Sequence, residues 1–194
     1  MSITKVNADV MDLSDGYAFT GAVTGAGGGW EFVSLVTASS SATVAFTSMT
    51  TGYDWLVRAV GVLPATDSVS MSVELGVSGP TYRTSGYLST SMGTGNGSDY
   101  DYSASTADIK PYTRTQGNLA SEGGQMSIEL TDPVAATDTY YRFTGSMVSS
   151  AGSTMQTTGG GYYDSTEAHP AIQFKYSSGN IATGFFKLYR RPNA

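Results

Sequence analysis

The chain has no cysteine and a single histidine, and only 13% of its 194 residues carry charge. Without cysteine there are no disulfides and no thiolate metal sites. One histidine cannot supply a zinc cluster, and His169 would have to serve any Ser-His-Asp triad alone. No Gly-x-Ser-x-Gly elbow accompanies it, and its place before Pro170, at the start of a strand, reads as structural. Proline is also sparse, at six residues. No stretch approaches the ~18 apolar residues of a membrane-spanning helix, and the N-terminal segment lacks the apolar run of a signal peptide. The helix-forming Ala, Leu, Glu, Lys and Arg are too scarce for a bundle. The net charge of −6 opposes recognition of phosphate backbones, so nucleic acid is not an expected partner.

Small polar residues dominate what is present. Gly, Ser and Thr number 24, 26 and 25, accompanied by 13 Tyr and 7 Phe. Many turns between short aromatic-containing strands give such a composition, which points to an all-β chain. Alternation is clearest over 68–77, where Val69, Met71, Val73, Leu75 and Val77 interleave with Ser70, Ser72, Glu74 and Gly76. It recurs over 125–130 and 169–176, which predicts strands with one buried and one wet face. Further strands are predicted over 30–37, 42–48, 54–62, 81–88, 139–148, 156–163 and 184–190. The segment 54–62 is apolar at both parities except Arg58, so burial on both faces is expected there. About ten strands result, consistent with an antiparallel, jelly-roll-like β-sandwich. Residues 89–124, rich in glycine and poor in aliphatics, are expected to form a long polar loop.

Two units are expected. Residues 1–29 read as an arm ending in the glycine-rich hinge 25–29, and residues 30–194 as the sandwich. The arm carries Ile3, Val6, Val10 and Leu13 at helical spacing, then Tyr17, Phe19 and Val23 in alternation. The first four cannot bury themselves on so short an arm, so all seven are candidates for docking on a neighbouring subunit or protein; the plainer alternative is a frayed tail.

No catalytic or metal-binding constellation stands out, and no cofactor is implied. Gly159-Gly160-Gly161 lacks the Lys-Ser/Thr of a phosphate-binding loop, and Asp99 with Asp101 lacks EF-hand spacing. Tyr82, Tyr87, Tyr100, Tyr102 and Tyr112 lie in or near the long segment, and Tyr162 and Tyr163 follow the glycine triplet. A tyrosine offers a flat apolar face and a polar tip, so these seven are candidate contacts for a sugar ring or a protein surface. The plainer alternative is that they cover loops and subunit seams. Arg83 and Arg114 could pair with Asp99, Asp101 or Asp108 in a structural role.

The run from Phe174 to Tyr189 fits FxxSSGNIAxGxFKLY, which resembles the closing strand-turn-strand of many small tailed-bacteriophage virion proteins. Similar segments are Trp30 with the strand after it, 37–46, 60–67 and 18–25. The chain departs from that pattern by continuing past Tyr189 as Arg190-Arg191-Pro192-Asn193-Ala194. The resemblance implies a non-enzymatic virion component, often a homotrimer, assembled in the host cytoplasm and joined to other virion proteins. The leading expectation is a tail fibre or receptor-binding appendage that contacts the host surface. Alternatives are a capsid decoration or head-fibre protein and, from another class, a polysaccharide depolymerase. No catalytic residues come with the resemblance.

Overall fold

In the computed structural model the described residues are 29–96 and 100–193, with backbone alone described for 100–102. Among them there is no helix, and twelve strands form two antiparallel sheets. The strands are β1 (Glu31–Ser41), β2 (Val44–Phe46), β3 (Tyr53–Pro64), β4 (Met71–Val77), β5 (Thr81–Tyr82) and β6 (Tyr87–Gly95). They continue with β7 (Tyr100–Ser105), β8 (Gly124–Thr131), β9 (Thr139–Val148), β10 (Thr154–Tyr163), β11 (Ala171–Tyr176) and β12 (Ile181–Pro192).

The large sheet runs β1-β12-β3-β8-β9-β10-β6-β7 and the small sheet β2-β11-β4-β5. Setting aside β6, β7, β9 and β10 leaves eight strands with a simple rule. Their first pairs with their last (β1 with β12), and inward in turn β2 pairs with β11, β3 with β8 and β4 with β5. A long antiparallel ribbon rolled onto itself gives this nesting, which makes the core a jelly roll. The hairpins β6–β7 and β9–β10 are insertions that join through β10 and β6 and widen the large sheet alone.

The inner faces of the two sheets share one apolar core. Trp55, Val57, Ile128, Leu130, Phe143, Phe186 and Leu188 from the large sheet meet Met71, Val73, Leu75, Ile172 and Phe174 from the small one. The rings of Phe174 and Phe186 lie 5.1 Å apart across the interface. Each such side chain contributes about 1.5–3 kcal/mol through removal from water. The inserted half is tied in by Tyr87, whose hydroxyl accepts the Leu75 backbone N–H at 2.7 Å and donates to the Arg83 carbonyl.

Three expectations are corrected. Residues 89–124 are not one loop, because β6, β7 and the start of β8 occupy much of the span. The remainder is held by backbone bridges of Ile109 to Val73 and of Gln116 to Val69 and Ser149. In β6, Ser89, Ser91 and Gly93 point inward while Leu88, Thr90, Met92 and Thr94 point out, so the usual polarity is inverted. Second, 54–62 is not buried on both faces: Arg58 and Val60 stand on the solvent side of β3. Third, β4 and β11 have no wet face, since Ser72, Glu74 and Gln173 are covered as well. Other chain segments and paired polar side chains close over them.

Candidate functional site

Alternation along β3, β8, β9, β10 and β6 sends every second side chain to the outer face of the large sheet. Antiparallel register lines these side chains up in rows. One row reads Arg58, Ser127, Thr144, Thr158, Met92; the next reads Val60, Gln125, Ser146, Gln156, Thr94. Together they line a trough of about 490 Å³. On the other side of the first row come Leu56, Glu129, Arg142, Gly160 and Thr90, beside a second hollow of about 270 Å³. Ser127, Thr144 and Thr158 line both hollows, so the depression is continuous.

The face is concave. Strands β3 and β6 are four strand spacings apart in the sheet order, about 19 Å on a flat sheet, yet both line the same trough. Two features bend the sheet. Gly61, at φ 65°, lies where the register of β3 against β8 shifts by a residue, and such bulges increase local twist. In β10 the triplet Gly159-Gly160-Gly161 permits close approach of both neighbouring strands. A Cβ on Gly161 would collide with the Leu88 carbonyl oxygen of β6, and one on Gly159 with the Phe143 ring of β9.

An aromatic platform closes one end of the face. Tyr140 and Tyr162, register partners in β9 and β10, stack with ring centroids 5.5 Å apart and planes 29° from parallel. Leu88 of β6 sits beside Tyr162, and Tyr140 is 55% exposed. The floor is otherwise hydroxyl and amide, with Gln125 donating to Ser146 Oγ at 3.1 Å. Four of the ten Lys and Arg residues stand on this face: Arg58, Arg142, Lys187 and Arg191. Glu129 accepts from Arg142 at 2.7 Å and from Arg191 at 3.0 Å, while Asp54 also holds Arg191.

The tyrosines singled out in the sequence do not converge. Of those with described side chains, only Tyr162 is on the concave face. Tyr87, Tyr112 and Tyr163 are core residues, so as partner contacts they are corrected: their rings fill the space between the sheets. Burial raises the phenol pKa of all three. Tyr82, half-buried on β5, covers Gly76. Tyr100 and Tyr102 pair along the backbone with Thr94 and Met92 at the sheet edge. The arm residues Ile3, Val6, Val10, Leu13, Tyr17, Phe19 and Val23 lie outside the described residues, as does Asp99. Arg83 pairs with Glu167 at 2.8 Å, and Asp108 pairs with Lys110. Arg58, Tyr140, Thr144 and Thr158 were missed as site residues, because their shared face follows from the strand order β3-β8-β9-β10 and not from parity within any one strand.

His169 is buried, with Nδ1 at 2.9 Å from Thr139 Oγ1 and its ring edge-on to Tyr163. Burial lowers its pKa to about 4, with Arg83 adding to the effect against an opposing pull from Glu167. It is therefore neutral near pH 7 and remote from the concave face. Among the described residues no group of three or more His, Asp or Glu is placed to hold a metal ion. A polar, open, curved face with an aromatic end can hold a flat, many-hydroxyl ligand; it presents no nucleophile–base pair.

No family model matches the chain, and no curated protein or solved structure matches it.

Proposed function

We propose that the chain is a non-catalytic binding module of a tailed-bacteriophage virion, an appendage that recognises polysaccharide on the host surface through the concave face of its large sheet. The observation that carries the binding role is the hydroxyl- and amide-lined trough, whose volume falls in the ~300–1,000 Å³ range of small-ligand sites. Ser, Thr and Gln side chains exchange hydrogen bonds with sugar hydroxyls in either direction. The stacked Tyr140–Tyr162 pair offers a flat face to the C–H side of a ring. The virion assignment rests on the resemblance of the closing hairpin. Filling the trough tests the binding role. Thr144→Trp adds bulk at an exposed position, so the protein should fold normally and lose binding to an array of bacterial surface polysaccharides. Retained binding would move recognition elsewhere.

A second reading, capsid decoration, draws on the edge of the same sheet. Phe32, Val33 and Leu35 of β1 and Phe185 of β12 are exposed large hydrophobics on and beside an edge strand that is paired on one side only, to β12. A neighbouring subunit would cover them. Antibody labelling of intact particles separates the readings: label on the tail supports the appendage, label over the head shell the decoration protein.

A further inference from the structure

Within a chain holding 16 Asp and Glu against 10 Lys and Arg, basic side chains should find acidic partners easily. Arg83, Lys110, Arg142, Lys175, Arg190 and Arg191 all do. Arg58 and Lys187 do not: among the described residues neither has an ion pair or hydrogen bond, and both are exposed. They are also direct cross-strand partners, Arg58 on β3 and Lys187 on β12. Opposed residues in an antiparallel pair have Cβ atoms only ~5 Å apart, so two like charges there repel. The nearest acidic position on the face, Glu129, is already shared by Arg142 and Arg191. One register step away, Val60 and Phe185 form an apolar pair, 49% and 51% exposed.

We infer that the trough selects an acidic polysaccharide, with a sugar carboxylate bound between Arg58 and Lys187 and the apolar face of its ring against Val60 and Phe185. The inference rests on the polysaccharide reading above and names its ligand class. A carboxylate placed between the two cations replaces their repulsion with two charge-assisted hydrogen bonds. Arg58 already lines the trough, so the anionic subsite is continuous with the hydroxyl floor where neighbouring sugars would lie. A uronic acid combines this charge with a ring face in the required proportion. A nucleic acid is disfavoured, because the apolar Val60–Phe185 pair beside Arg58 and Lys187 fits a ring that carries one carboxylate rather than a continuous row of phosphates.

The test measures binding of the full chain to immobilised polygalacturonate and alginate, with dextran and duplex DNA as controls. Both uronate polymers should bind and dextran should bind at least about tenfold more weakly, with the uronate affinity falling as salt rises to about 0.5 M. Arg58→Gln and Lys187→Gln should each weaken uronate binding by about tenfold or more while melting as the parent does. Equal binding of dextran and the uronates, or uronate binding unchanged in both variants, overturns the inference. DNA binding that depends on the same two residues would replace it with general polyanion affinity. Neutral glycans that bind and are lost in Thr144→Trp would leave the trough standing without its acidic selectivity. Absence of all polysaccharide binding removes both readings together.

Discussion

The two outer faces of the sandwich have been finished differently. On the small sheet Glu74 is held by the amide of its register partner Gln173 and, at 2.7 Å, by Lys175 two residues further along β11. Beside them Lys110 reaches both Ser72 and Asp108, and Ser105 donates to Asp108. The polar groups there are satisfied within the chain, and the face is closed. On the large sheet, by contrast, two cations have no partner among the described residues, the hydroxyls face water, and Val60, Met92, Tyr140 and Phe185 are exposed. Polar residues of similar kinds therefore serve opposite ends. Where they answer one another they stabilise the fold, and where they remain unanswered they are free to meet a ligand.

The comparison can be broken or sharpened by experiment. The largest effect is expected for Gly161→Ala, whose methyl would strike the Leu88 carbonyl oxygen and force β6 from β10. A loss of about 3 kcal/mol in denaturant unfolding is predicted, together with loss of binding, since the curvature of the open face depends on that approach. An effect of similar size is predicted for acid on the side where β11 begins. The His169 pKa is about 4 in the folded chain against an ordinary 6.5, so the unfolded chain takes up the proton first as pH falls. Stability should be whole above pH 6.5, decline down to about 4 and then level, a loss of about 3 kcal/mol from this group. Unfolding in urea across that range checks it, and His169→Gln should remove this component.

Glu74→Ala should cost about 2 kcal/mol, because it strands the Gln173 amide and the Lys175 ammonium, yet leave polysaccharide binding unchanged. Smallest is Lys187→Gln, expected within about 0.5 kcal/mol of the parent and on the stabilising side, since it relieves repulsion from Arg58. If Lys187→Gln destabilised as much as Glu74→Ala, the contrast between a closed and an open face would collapse.

Part of this was legible in the chain. Alternation over 68–77 and 125–130 located β4 and β8, because there apolar parity and core parity coincide. It failed for β6, where Ser89 and Ser91 face inward under the inserted hairpins and Leu88 and Met92 face out. Parity marked the outward positions of β9, where Tyr141 and Phe143 alternate with Arg142 and Thr144, but not those of β10, where Gln156 to Gly161 are small or polar at both parities. It could not show that the face curves, which depends on Gly61 and Gly161 meeting strands distant in the chain. Nor could it bring Arg58 beside Lys187, since β12 lies next to β3 only once the ribbon has rolled up.

That position of β12 also governs the order in which the molecule can be made. It is inserted between β1 and β3, so the edge strand β1 is cut off from the rest of the large sheet until residues 181–192 have left the ribosome. Until then β1 has no neighbour in its sheet and β3 has only one. Pairings between such distant segments slow folding, so closure of the large sheet waits on β12 and should take ~milliseconds to seconds or longer once that strand is made. During that interval, bare strand edges favour contact between nascent chains, and a lower growth temperature should raise soluble yield.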